Sequence, residues 1–167
     1  MDSFPKRKHP RLKQYNYSSG GAYFITICTQ NRRCLLSQII PGNDRDTPTK
    51  IRYLDYGKIA AEQLTLLEKR FLTVNIDRYV IMPNHIHMIL LLKASESGEA
   101  SPTIMDIVCA YKSLVTRECK KCRPIDKLFQ TSFYEHVIRG QKDYLETVEY
   151  VENNPKQWEM DRLYSAE

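Results

Sequence analysis

The spacing of apolar positions changes repeatedly along the chain, and each change marks an element. Tyr23-Phe-Ile-Thr-Ile-Cys-Thr29 is a run of β-branched and aromatic residues and predicts a strand, with Gly20-Gly21 as the turn before it. Residues 1–20 read as irregular, residues 41–48 as a loop by composition, and Arg52–Asp55 as a short strand. From Gly57 the period lengthens. Ile59, Gln63, Leu64, Leu66, Leu67 and Phe71 predict an amphipathic helix. Thr73–Met82 then predicts a strand, Pro83-Asn84 a turn, and His85–Leu92 a second strand. Beyond its histidines that strand is apolar on both faces, which suits a central position covered on both sides.

After a polar loop at residues 94–100, Ser101-Pro102 reads as an N-cap and first helical position. The helix should reach about Lys121, with Ile104, Ile107, Val108, Tyr111, Leu114 and Val115 inward. Leu128–Arg139 is strand-like around Phe133 and Val137-Ile138, and Gly140 breaks it. A last helix is expected from near Lys142 to Asn153 or Asn154, because Pro155 follows. The order β(β)αββαβα, without repeats, predicts an α+β sandwich: one mainly antiparallel sheet with helices packed on it.

Composition narrows the class. At 167 residues the chain fits a single domain over 1–167 with its own core, and 42% hydrophobic with 27% charged residues is ordinary globular usage. No apolar run reaches the roughly 18 residues of a membrane helix. The N-terminal Met1–Pro10 has no apolar stretch after its charges, so it does not read as a secretory signal, and the cytoplasm is expected. Cys28, Cys34, Cys109, Cys119 and Cys122 form an odd set, which favours reduced thiols. Cys119-Lys-Lys-Cys122 has zinc-knuckle spacing but no second ligand pair follows it, so two thiols near a helix end is the better reading.

The net charge is +5, and its distribution matters more than its size. Lys6, Arg7, Lys8, Arg11 and Lys13 form a basic N-terminal arm. Lys112, Arg117, Lys120, Lys121 and Arg123 form a second group, while residues 143–167 are acid-rich. One-sided positive charge is what a polyanionic partner requires, although solvated lysines account for it equally well.

Two constellations carry chemistry. His85-Ile-His87 opens an apolar strand, and a spacing of two puts both imidazoles on one face with Cβ atoms about 7 Å apart. Their nitrogens can converge on one ion, or backbone and solvent can satisfy them. Two nitrogens are too few for a closed structural zinc site. An open site fits better, with magnesium or manganese completed by oxygen ligands. On the last helix Tyr150 and Asn154 lie four apart and share a face, with Glu146 one turn earlier. A phenol there can act as a nucleophile and an amide oxygen as a third metal ligand. An ordinary core aromatic would have the same spacing, and Tyr134 and Tyr144 are rival tyrosines.

Taken together, these pieces resemble the HUH single-tyrosine transposases, and among them the REP-associated tyrosine transposases. The resemblance runs from about Arg11 to Trp158. Gly20–Arg33 is similar to the family's first strand and its basic follow-on, Arg32-Arg33. Tyr79-Val-Ile-Met-Pro-Asn-His-Ile-His-Met-Ile-Leu90 is similar to its histidine–hydrophobic–histidine strand. Phe129–Arg139 resembles the segment before the catalytic helix, with Phe129 where the family usually carries Trp, and Val148–Pro155 resembles that helix.

The resemblance implies a ferredoxin-like fold. It also implies cleavage and rejoining of single-stranded DNA near a hairpin, through a 5′-phosphotyrosine and a free 3′-OH. By position, His85 and His87 match the metal pair, Tyr150 the nucleophile and Asn154 the third ligand. Structured single-stranded DNA is the implied partner, contacted by the basic arm, Arg32, Arg33, Lys112 and Arg117, and location at the nucleoid follows. The catalytic helix can serve its own subunit or a partner's, so a homodimer is compatible. Two other classes fit the same residues: a DNA-hairpin-binding module without cleavage, and an RNA-binding domain, whose sheet topology is similar.

Overall fold

The computed structural model describes residues 20–42, 48–94 and 101–166. The basic arm Lys6, Arg7, Lys8, Arg11 and Lys13 lies outside the described residues, as do parts of the two loops expected at 41–48 and 94–100. The elements run β1 (Gly21–Cys28), β2 (Ser37–Ile40), β3 (Lys50–Tyr53), α1 (Asp55–Arg70), β4 (Val74–Ile81), β5 (His85–Leu92), α2 (Ile104–Cys122), β6 (Tyr134–Ile138) and α3 (Gly140–Asn153). Short 3₁₀ turns occupy Gln30–Arg32 and Asn154–Met160.

Strands β4, β5, β1 and β6 form one sheet in that order, every neighbouring pair antiparallel. Counting only this sheet, the chain runs βαββαβ, the ferredoxin-like arrangement. It continues into α3. The α+β expectation holds, and β5 takes the central place that its two-sided apolar pattern predicted.

The sheet divides its side chains between two cores, as a period of two dictates. Tyr23, Ile25 and Ile27 of β1 and Ile86, Met88 and Leu90 of β5 face one way, against Leu64 and Leu67 of α1 and Ile107, Tyr111 and Val115 of α2. Phe24 and Ile89 face the other way with Val80, Met82 and Ile138, and are covered by Val151 and Val148 of α3. α3 therefore lies on the face that β5 shares with its histidines, together with Ile39 and Ile51 of the β2–β3 hairpin and Trp158.

Several boundaries differ from the sequence reading, each for a local reason. β2 carries no strong strand pattern and is held by its hairpin with β3, Ile39 opposite Ile51. α1 begins at Asp55 rather than Gly57, with an acidic residue in its first turn and Lys69-Arg70 in its last, as the helix dipole favours. α2 is capped by Thr103 rather than Ser101. Thr103 and Asp106 close a reciprocal capping box, which leaves Pro102 outside the helix. Leu114 is only half-buried.

The expected strand at Leu128–Arg139 shrinks to Tyr134–Ile138 plus a single bridge between Thr29 and Phe129. Between them the chain is pinned by Lys112, whose ammonium donates to the carbonyls of Gln130 (2.6 Å) and Thr131 (2.8 Å). α3 starts at Gly140, earlier than Lys142. Gly140 takes φ +80°, and the Asp143 carboxylate accepts from the Arg139 backbone at 2.7 Å.

Gly57 lets α1 approach the backbone just before β2 closely. A Cβ there would stand 1.9 Å from the Leu36 carbonyl oxygen, which already accepts from Leu54 N. Inside a helix Gly→Ala normally gains about 0.5–1 kcal/mol. Here the backbone clash reverses the sign. Gly57→Ala is expected to cost about 1–3 kcal/mol, a fall in Tm of about 2–12 °C, measurable by thermal unfolding. An unchanged or raised Tm would show that α1 can move off this loop freely.

Candidate active site

β1 and β5 position the histidines. In their register Thr26 lies opposite His87 and Cys28 opposite His85. Both imidazoles point to the α3 face with ring centroids 4.4 Å apart, and both side chains are essentially without solvent contact. The Met82–Asn84 turn is closed by Met82 N donating to the His85 carbonyl at 2.8 Å, which fixes where β5 begins.

Hydrogen bonds orient each ring through the nitrogen away from the cleft. His87 Nδ1 pairs with Thr26 Oγ1 at 2.8 Å. His85 Nδ1 lies 2.8 Å from Asn84 Oδ1. The Asn84 amide cannot turn over, because its nitrogen donates to the Leu163 carbonyl (2.8 Å) and the Arg32 carbonyl (3.3 Å). His85 Nδ1 must therefore be the protonated nitrogen, which leaves Nε2 with a lone pair.

That lone pair meets another. Asn154 Oδ1 stands 3.3 Å from His85 Nε2, and the Asn154 amide is itself oriented, because its nitrogen donates to Asp161 Oδ2 at 2.6 Å. Two acceptors aimed at each other need a proton or a cation between them. Protonation is disfavoured: burial first, then the Arg32 and Arg162 charges, lower the His85 pKa to about 4, against partial opposition from Asp161 and Asn154. His87 is also held well below its ordinary value, by burial first, then by His85 and Arg162. Its Nε2 is buried with no hydrogen-bond partner among the described residues, a deficit that ordinarily costs about 1–3 kcal/mol.

Asp161 completes the cluster. Its carboxylate comes within 4.0 Å of His85 Nε2, and ligand atoms of His85, His87 and Asp161 all lie within 4.8 Å of one another. Ligands at about 2.0–2.2 Å from one ion lie no more than about 4.4 Å apart, so small side-chain rotations suffice. Two neutral imidazoles, an amide oxygen and a carboxylate are a donor set suited to a divalent cation, and second nitrogens already held by Asn84 and Thr26 are the usual support for ligating histidines.

Tyr150 closes the outer side. Its ring centroid is 5.2 Å from that of His87 and 5.9 Å from that of Phe24, and the residue is 38% exposed. It faces a cleft of about 450 Å³ that Asn154, Asp161 and Arg162 also line. Burial first, and Asp161 next, raise its pKa, while Arg162 opposes them. The rival Tyr144 spends its hydroxyl on Asp77 at 2.6 Å. Tyr134 lies under the Arg162 guanidinium, 5.9 Å from ring centroid to Cζ.

The fold thus brings His85, His87, Asn154 and Tyr150 together within one chain. Arg32 borders the site, and its guanidinium donates to the Arg162 carbonyl at 3.4 Å; Arg33, beside it, is exposed. Lys112 and Arg117 are not brought in: α2 packs on the opposite face of the sheet, Lys112 is engaged with the 128–133 loop, and Arg117 lies 3.3 Å from Glu118. Asp161, Arg162, Asn84 and Thr26 went unread in the sequence. Asn84 had a signal, its place in the Met-Pro-Asn lead. Asp161 and Arg162 had none, since a 3₁₀ turn separates them from the last helix.

No protein-family model matches the chain. Among proteins of Haemophilus influenzae, the chain is 37% identical to an uncharacterized protein, over 95% of this chain and 93% of that one. It is 30% identical to another protein of that organism, named "Putative REP-associated tyrosine transposase", over 84% of this chain and 73% of that one. Against the REP-associated tyrosine transposase of Escherichia coli the identity is 27%, over 83% and 68%. In fold it is similar to a solved REP-associated tyrosine transposase bound to a REP hairpin (TM-score 0.64, 23% identity, 88% and 73% covered). It is also similar to a putative transposase of Deinococcus radiodurans (TM-score 0.51, 16% identity, 86% and 95% covered). Fold and relatives place the chain among DNA transposases. Within them, it belongs to the REP-associated tyrosine transposase family. No helix among the described residues is long and apolar enough to cross a membrane.

The buried histidines make stability depend on pH. In the unfolded chain each takes up a proton near pH 6.5, whereas native His85 resists until about pH 4. The unfolded state then binds more protons in that window, so stability is full above pH 6.5 and falls as pH drops toward 4. In EDTA, Tm of the wild type is expected to fall across this range more steeply than Tm of a His85→Asn/His87→Asn variant. Parallel profiles would mean that the pair does not stay neutral in the native state.

Proposed function

We propose that the protein is a metal-dependent transposase that cleaves and rejoins single-stranded, hairpin-bearing DNA through a 5′-phosphotyrosine. The observation that carries this is the convergence of His85 Nε2, Asn154 Oδ1 and the unpartnered His87 Nε2, beside Tyr150 in one cleft. A structure neighbour bound to a REP hairpin supports the choice of DNA.

In this reading His85, His87 and Asn154 hold a magnesium or manganese ion, with Asp161 as a further ligand or as the group that orients Asn154. Such an ion, when bound, polarises the scissile phosphate and offsets the charge that grows on it. Asn84 and Thr26 keep the imidazoles aimed and Nε2 free. Tyr150 Oη attacks the phosphorus. The new Oη–P bond forms as the P–O3′ bond breaks, the phenol proton leaves, and the 3′ oxygen takes up a proton as it departs. A phenolate is a good leaving group (pKa about 10), so a DNA hydroxyl can reverse the step and complete a strand transfer. The meeting of Tyr150 with the histidines within one chain supports a site that works in cis, two of them in a homodimer. The N-terminal arm, Arg32 and Arg33 supply backbone contacts along the strand.

Incubation of the protein with a single-stranded REP-hairpin oligonucleotide and Mn²⁺ should give a covalent adduct on denaturing gels. Tyr150→Phe should abolish it. His87→Ala and EDTA should each lower its rate by at least about 10²-fold. An adduct that survives Tyr150→Phe would move the nucleophile to another tyrosine, Tyr134 first. Tight hairpin binding by the wild type with no adduct would leave a binding module in place of a nuclease.

A further inference from the structure

The cleft in front of Tyr150 must receive an anion, yet Asp161 already places a carboxylate in it. Arg162 is the cation among the residues that line it. Its side chain is not consumed elsewhere. Among the described residues no carboxylate forms an ion pair with its guanidinium, whose recorded contact is the face of Tyr134. Its backbone, by contrast, is held firmly. The Arg162 carbonyl accepts from Arg32, and the next carbonyl, of Leu163, accepts from the oriented Asn84 amide. Leu163 itself is 3% exposed and anchors the segment in the protein. An exposed guanidinium on a fixed backbone, at the mouth of the nucleophile's cleft, is built to bind rather than to fold the chain.

We infer that Arg162 is a catalytic residue that grips a non-bridging oxygen of the scissile phosphodiester, on the side away from His85 and His87. The assignment rests on the transposase reading above and deepens it. Chemistry gives the role. In-line attack by Tyr150 loads negative charge onto the phosphate, and among the described residues the group that could hold a metal is His85, His87 and Asp161. A guanidinium on the other side neutralises the second oxygen and fixes its orientation through two parallel N–H donors. It also lies where a phenolate forming on Tyr150 feels its charge. Asn84 thereby serves two ends of one site: its oxygen aims His85, and its nitrogen secures the segment that presents Arg162.

The test uses the full chain and REP-hairpin oligonucleotides in which one neutral methylphosphonate is walked, linkage by linkage, through the single-stranded flanks. Wild-type binding should weaken at the linkage that Arg162 neutralises. Arg162→Gln should bind the all-phosphate oligonucleotide less tightly, with a slope of log K against log salt shallower by about 0.7, and should be indifferent to methylphosphonate at that linkage. Adduct formation by Arg162→Gln should be about 10²-fold slower, with Arg162→Lys between it and the wild type, and with cooperative thermal unfolding retained. A methylphosphonate profile and adduct rate equal to wild type would overturn the assignment and leave the transposase reading standing. Loss of the profile at one linkage, with no adduct from the wild type, would keep Arg162 as a phosphate contact and sink the nuclease reading instead.

Discussion

Pairing of Thr26 with His87 and of Cys28 with His85 across β1 and β5 decides what the rest of the site can be. It puts two imidazoles on the inner face of a central strand, where α3 removes them from water. Burial then disfavours the second, charge-giving proton on either ring. A neutral imidazole offers one donor and one acceptor. The His85 donor is taken up by Asn84, which turns its acceptor toward Asn154 and Asp161, and Thr26 holds the His87 ring through Nδ1. A slip of the register by one residue would flip both rings into the α1–α2 core, so the convergence of the two imidazoles is a property of strand pairing before it is a property of histidine.

Much of this architecture was legible in the chain. The run after Pro83, apolar on both faces beyond its histidines, announced a central strand, the period change at Gly57 announced α1, and Pro155 announced the end of α3. Boundaries were less legible where tertiary contacts override local signals. Ser101-Pro102 has good cap chemistry, yet Thr103 wins because Asp106 stands where a reciprocal box can close. From Leu128 the expected strand is reduced to the Thr29–Phe129 bridge, and Lys112, one of a basic group in the sequence, reaches across to hold the backbone of Gln130 and Thr131. No one-dimensional pattern encodes that reach.

The site was readable in its halves and unreadable in its closure. His85 with His87, and Tyr150 with Asn154, follow from strand and helix periods. Asp161 and Arg162 do not, since they come after a 3₁₀ turn whose path depends on Trp158 packing against the α3-side core and facing His85, ring centroids 5.9 Å apart. Residues 143–167 read as acid-rich, in contrast to the two basic groups. In the fold, Asp161 turns inward, where a carboxylate aids a cation site, and its neighbour Arg162 turns outward to the cleft.

Charge placement changes in the same way. Counting lysines and arginines along the chain suggested a basic face that included α2. The fold splits that group from the site: Lys112 braces a loop, and Arg117 stands beside Glu118 on the far side of the sheet. Two arginines that the count did not distinguish, Arg32 and Arg162, are the ones close enough to depress the His85 pKa. Both fields lower the His85 pKa and so favour its neutral form, and that of Arg162 also lowers the His87 pKa and opposes the rise in the Tyr150 pKa. An acidic surround would keep the imidazoles charged and repel the substrate. The local positive field is therefore part of the site's chemistry, and it is supplied by two side chains tied together through one backbone carbonyl.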